Sequence, residues 1–210
     1  MDWPFALSFF VALFSVLNPV HAIPLYLGMV PEPTPQDSHR IPMAAALTIF
    51  IALSLVLLGG PQLLLFFGIT VPAFQAGGGV IILLMGVSML QGQVSAIKQV
   101  PEEAAEASQR ESIAVVPLGM PILAGAGSMS TVIVFAHQAH TWFHWASLLV
   151  AIILNAVIAY MLLRAAPWLD RLLGRTGVNI VSRLMGLILV AMAIQFVANG
   201  MKGLFPGLAQ

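Results

Sequence analysis

The chain contains no cysteine, which excludes disulfides and thiolate metal sites. It is also nearly without charge. Asp, Glu, Lys and Arg make up 8% of its 210 residues, where a soluble domain carries roughly 25%. So few charges cannot cover a surface in water, so the solvent for most of the chain must be lipid. Eight basic and eight acidic residues cancel to a net charge of +0, so no basic field points to nucleic acid as a partner. GxSxG, HExxH and P-loop patterns are absent, and with them any sequence support for an enzyme or a cofactor. No Lys or Arg precedes the first apolar run, MDWPFALSFF, which lacks the basic region of a cleaved signal peptide. The first segment is therefore expected to be retained.

What is present is apolar: 60% hydrophobic residues and a mean hydropathy of +0.98. A membrane-spanning helix needs about 20 mostly apolar residues. Six segments qualify, near 4–29, 42–67, 71–93, 112–136, 142–163 and 180–201. None carries Asp, Glu or Lys between its ends. The fold class is therefore all-α integral membrane, with membrane lipid as its surroundings. Polar material collects in the connectors: the Pro-rich PEPTPQDSHR, the tight turn GIT at 68–70, and the long stretch 93–112, in which AIKQVPEEAAEASQRE could form a surface helix.

Arg40, Lys98, Arg110, Arg164, Arg171, Arg175 and Arg183 fall on one side of the six-span topology, and Lys202 alone on the other. By the positive-inside rule the basic side is cytoplasmic. The expectation is a bacterial inner-membrane protein with both termini periplasmic.

Three spans reverse the chain, so two halves of three spans stand inverted with respect to each other. The expected division is 1–93, a cytoplasmic connector 94–111, and 112–210, all in one membrane domain. GGVIILLMGVSML (78–90) resembles MGLILVAMAIQFV (185–197), with Gly79 and Met85 matched by Gly186 and Met192. LNPVHAIPLYLG (17–28) matches VVPLGMPILAGAG (115–127) through paired prolines, Pro19 and Pro24 in one, Pro117 and Pro121 in the other.

Proline removes a backbone donor and clashes with the carbonyl four residues earlier, costing about 3 kcal/mol inside a helix. In hydrocarbon such a break is tolerated only against protein or a wet cavity. Paired prolines, flanked by Asn18 in one half and by AGAGS (124–128) in the other, point to helices one and four being interrupted near the midplane. Backbone amides at a resumed helix start and carbonyls at the facing end suit a zwitterion. Gly125 and Gly127 would let a ligand approach the main chain. Simple kinks without a ligand are the alternative.

Other polar residues have two readings each. Asn155, Gln75, Ser88 and Gln195 are by default inter-helix hydrogen-bonding groups, with Asn155 and Gln195 also candidates for substrate contact. Ser128, with Ser130 and Thr131, can cap the resumed helix or touch a ligand. His21 is the one titratable side chain deep in a span, as a proton carrier or as a packed neutral imidazole. His137, His140 and His144 read as a turn with Trp142 and Trp145 at the interface, and no metal site is expected there. AGGG (76–79) reads as a packing face, which permits association within one chain or between chains.

LNPVHAIPLYL (17–27), FGITVPAFQAGGGVIILLMGVSML (67–90), ESIAVVPLGMPILAGAGSMSTVI (111–133) and TGVNIVSRLMGLILVAMAIQFVANGMKGLFPG (176–207) together resemble the MarC family of bacterial inner-membrane proteins. The resemblance implies six spans in inverted halves, within a superfamily that includes lysine and homoserine exporters. It also implies transport of small neutral amino acids such as glycine and alanine. The family's motifs carry over onto Asn18, Pro19, Pro24, Pro117, Pro121, Gly125 and Gly127. There are departures: His21 stands at a glycine of the first motif, Ala126 at a proline of the second, and Gln195 where some relatives carry an acid.

Residues and resemblance give a leading expectation: a transporter of small neutral solutes working by alternating access, with H+ or Na+ as coupling ion. A passive channel or facilitator and a membrane protein with no transport role are the alternatives. The expected substrate site is Asn18, Pro19, His21, Pro24, Pro117, Pro121, Gly125, Gly127, Ser128, Asn155 and Gln195.

Overall fold

A computed structural model describes residues 3–30, 34, 36–91, 123–205 and 207. The described residues form seven helices and no strand: α1 Trp3–Leu17, α2 Pro19–Met29, α3 Asp37–Phe66, α4 Val71–Leu90, α5 Ala126–His137, α6 Trp142–Arg164 and α7 Ala166–Leu204. Five stretches are long and apolar enough to cross a membrane: Trp3–Pro24, Asp37–Phe66, Val71–Leu90, Trp142–Arg164 and Asn179–Leu204. Ala126–His137 is a shorter apolar helix. This is an integral, multi-pass membrane protein. Pro117, Pro121 and the connector 94–111 lie outside the described residues.

Turn chemistry sets the ends of these helices. Thr70 caps α4 by accepting from the Ala73 amide, and Thr141 caps α6 by accepting from that of His144. Gly68, at φ +67°, makes the turn between α3 and α4. The stretch 138–141 turns the chain from α5 into α6, and Trp142 starts α6 fully in the open while Trp145 is half-buried. Gly174, at φ +58°, bends α7, separating a short first segment from the span that follows.

The spans pack in a pattern with a symmetry of its own. α4 lies against α7 and α3 against α6. The first span, α1 with α2, packs on α6 and α7, while α5 packs on α3 and α4, and α1 meets α5. Exchanging the first half's spans with the second half's in order leaves this set of contacts unchanged. The contacts thus relate the helices of the first half to those of the second. Leu, Val and Ile side chains such as Leu55, Leu58, Leu65, Ile180 and Leu187 stay exposed on the outside, as a lipid-facing surface requires.

The repeat is in register at 107 residues. Asn18 precedes α2 and Gly125 precedes α5, as Gly79 precedes Gly186 and Met85 precedes Met192, each pair 107 apart. At this spacing Asn18 corresponds to Gly125 and Pro19 to Ala126. Pro117 and Pro121, which the sequence pairs with Pro19 and Pro24, lie outside the described residues.

Candidate functional site

The first span is interrupted at Asn18. Its backbone takes φ 45°, ψ 64°, the one positive-φ residue other than glycine among those described. Asparagine tolerates this left-handed conformation better than most side chains. It then serves as N-cap of α2, its Oδ1 accepting from the His21 amide at 3.4 Å. Pro19 follows at the first helical position, where its missing N–H costs nothing. Pro24, inside α2, removes the N–H that would reach Val20, and its ring is exposed. At 1.5 Å per residue Asn18 lies about 22 Å along from Trp3 and about 17 Å from Met29. It is level with Met89 on the last turn of α4, so this break sits past the middle of the span.

α5 begins at Ala126, with Gly125, an extended residue (φ −73°, ψ −177°), as its N-cap. Ser128 is buried, and its Oγ donates to the Leu123 carbonyl at 2.9 Å, bracing the chain that leads into α5. Thr131 Oγ1 donates to the Gly127 carbonyl at 2.9 Å. A β-carbon on Gly127 would lie 3.0 Å from Val16 Cγ1, 3.3 Å from Ile82 Cγ1 and 3.4 Å from Met85 Sδ. The glycine thus admits neighbouring side chains, and the space beside it is filled by protein.

These contacts bring the starts of α2 and α5 together. Gly127 touches Val16, half a turn before Asn18, and α4 presents Met85 to Gly127 and Met89 to Asn18. α2 and α5 both start here and run towards opposite ends of the bundle. Their N-terminal dipole ends, equivalent to about +0.5 charge each, converge on one region. His21 is buried beside it, with Nδ1 3.4 Å from Ser182 Oγ on α7. Asn18, Pro19, His21 and Gly127 are gathered with Met85, Met89 and Ser182.

Asn155 and Gln195 stand apart. Asn155 Nδ2 donates to the Ala151 carbonyl at 2.9 Å and reaches the Phe10 carbonyl at 3.5 Å. That places it at Phe10, eight residues and so about 12 Å before Asn18 along the span. Gln195 is exposed on α7, where its Nε2 donates to Asn199 Oδ1 at 3.0 Å. Neither faces the starts of α2 and α5. His144 packs against Phe5 with the rings tilted at 36° and centroids 4.5 Å apart, and no group of three His, Asp or Glu that could hold a metal occurs among the described residues.

Met89 and Ser182 were missed in the sequence as site residues. Met85 and Met89 are spaced four apart on α4, which puts both on one helical face, but the same spacing describes any packed apolar stripe.

A family described as "MarC family integral membrane protein" matches residues 3–205, almost the whole chain. The chain belongs to the MarC family. The UPF0056 membrane protein YhcE of Escherichia coli strain K12 is 39% identical over 99% of this chain and 96% of its own length. A UPF0056 membrane protein of Methanocaldococcus jannaschii is 37% identical over 97% of this chain and 98% of its own. One from Aquifex aeolicus is 35% identical over 93% and 91%. No solved structure matches the chain at significance.

Proposed function

We propose that this MarC family protein is a transporter of small neutral solutes, foremost small neutral amino acids such as glycine and alanine, working by alternating access between its two inverted halves. The observation that carries this reading is that α2 and α5 begin beside each other against the last turns of α4, α2 being capped by Asn18 in a left-handed conformation. A left-handed non-glycine residue costs on the order of 1–3 kcal/mol, so it persists because the surroundings impose it. Two converging helix N-termini and a buried amide suit a carboxylate. Broken spans in corresponding positions of inverted halves are where substrate sites of secondary transporters lie.

The gathered polar groups, Asn18, His21 and Ser182, carry no fixed charge unless His21 is protonated, which fits a solute of zero net charge. Asn18, Pro19, His21 and Gly127 form the proposed site, with Gly125 and Ser128 shaping the start of α5. The distribution of Lys and Arg supports an inner-membrane location with both termini periplasmic. A proton or sodium ion is the proposed coupling partner, and no catalytic role is assigned.

The test is uptake of labelled glycine and alanine into proteoliposomes, with and without a pH or sodium gradient, beside Asn18→Ala and Gly125→Leu. Accumulation against a gradient, lost in both variants, is the expected result. Equilibration without accumulation would make the protein a facilitator. No uptake by folded, inserted protein would remove amino acids as its substrate.

A further inference from the structure

Capping fixes how the Asn18 amide points. Oδ1 is held by the His21 N–H, which turns Nδ2 away from α2 and towards α4, where it meets Met89 Sδ at 3.4 Å. Among the described residues Nδ2 has no other acceptor. A thioether is a weak acceptor, and an amide with two hydrogens, on a residue 2% exposed, is poorly served by it. The same amide stands beside the N-terminus of α2, whose first turn favours negative charge. A strong donor at a positive helix end therefore meets a weak acceptor, on a side chain with three rotatable bonds.

We propose that Met89 is a gate: in this structure its sulfur occupies the position of the substrate's carboxylate, and the thioether swings aside when substrate binds. The inference rests on the transport reading above and names its moving part. Exchange of a thioether for a carboxylate converts a weak contact into a charge-assisted one, which supplies the driving force for displacement. The gate also limits substrate size, because the space beside Gly127 is already filled by Val16, Ile82 and Met85.

Since the chain has no cysteine, a single Met89→Cys variant reports on this position alone. It is treated in proteoliposomes with aminoethyl methanethiosulfonate, beside Gln138→Cys in an exposed turn and Leu84→Cys on the lipid-facing side of α4. The expected result is that Met89→Cys is modified, more slowly than Gln138→Cys and faster than Leu84→Cys, and that saturating alanine removes most of the labelling. Met89→Cys as inert as Leu84→Cys would overturn the gate, since water then never reaches it. Labelling that neither glycine nor alanine slows would leave the gate standing and sink amino acids as its ligand. If Met89→Cys is not recovered folded, Met89→Leu serves, keeping the volume and deleting the acceptor. Alanine is then expected to raise its Tm at several-fold lower concentration than it does for the native protein. Equal concentrations would count against the gate.

Discussion

Gly86 on α4 and Gly186 on α7 meet backbone to backbone. A β-carbon on Gly86 would lie 2.9 Å from the Gly186 carbonyl oxygen, and one on Gly186 would lie 3.0 Å from that of Gly86. In the register of 107 its counterpart is the contact of Gly79 with Ala193. Gly79 extends the contact, its missing β-carbon 2.9 Å from the Val197 nitrogen and 3.0 Å from the Ala193 carbonyl oxygen. Lipid tails are as apolar as leucine, so helices in a bilayer hold together through close van der Waals contact, which small residues permit.

Gly86→Leu should accordingly destabilise the protein by about 1–3 kcal/mol, the range for overpacking a well-filled contact. Gly59, by contrast, has nothing within 4 Å of its missing β-carbon. Gly59→Ala should raise stability by up to about 1 kcal/mol through helix propensity alone. Thermal unfolding of the two variants in the same detergent separates the cases. A Gly86→Leu protein as stable as Gly59→Ala would mean that the α4–α7 contact is not held by its glycines.

Asn18 combines a backbone role with a side-chain role, and two substitutions divide them. Asn18→Gly keeps access to φ 45° and removes the amide; Asn18→Ala removes the amide and leaves a β-carbon in a strained conformation. Asn18→Ala should be the less stable of the two by about 1 kcal/mol or more. Both should fail in uptake. If the two melt together, the left-handed backbone is not what asparagine supplies here.

Much of this fold was legible in the sequence because membrane spans announce themselves by length and by missing charge. Segments 71–93 and 142–163 reappear as Val71–Leu90 and Trp142–Arg164 with small shifts at their ends. The break at Asn18 was legible too, since Asn-Pro inside an apolar run has few other uses. The packing role of AGGG was readable from glycine spacing, and Gly78 does sit directly against Ser130. The partners of the break were not legible. Met89 and Ser182 are 71 and 161 residues from their partners Asn18 and His21, and nothing in a local pattern selects one methionine or serine over another. Gln195 misled for the opposite reason: polarity within an apolar run suggested a buried role, but Asn199 one turn on satisfies it locally at the surface. The start of α5 at AGAGS was legible, while Pro117 and Pro121, paired in the sequence with Pro19 and Pro24, lie outside the described residues.

His21 and Ser182 link the first span to the sixth across the two halves, at 3.4 Å between Nδ1 and Oγ. If they act through this contact, His21→Gln and Ser182→Ala should not add. A double-mutant cycle on unfolding should give a coupling of about 0.5–1.5 kcal/mol, the range of a net hydrogen bond. A coupling of zero would show that the two side chains are neighbours only. Uptake rates in the same four proteins then show whether the link between halves limits transport.

Asn155 tests how far the site extends. Its amide ties α6 to the Phe10 carbonyl, while its Oδ1 is buried without a hydrogen-bond partner among the described residues. Removing a polar group that is only half satisfied recovers its desolvation cost, so Asn155→Leu should change stability by no more than about 1 kcal/mol. Because Asn155 lies about 12 Å from Asn18 along the first span, uptake of glycine should survive the substitution. Loss of uptake in a variant that melts like the native protein would require the solute to pass Phe10 and Asn155, and the path would then run along α6. Retained uptake would confine the site to the starts of α2 and α5, where Asn18, Met89 and Gly127 converge.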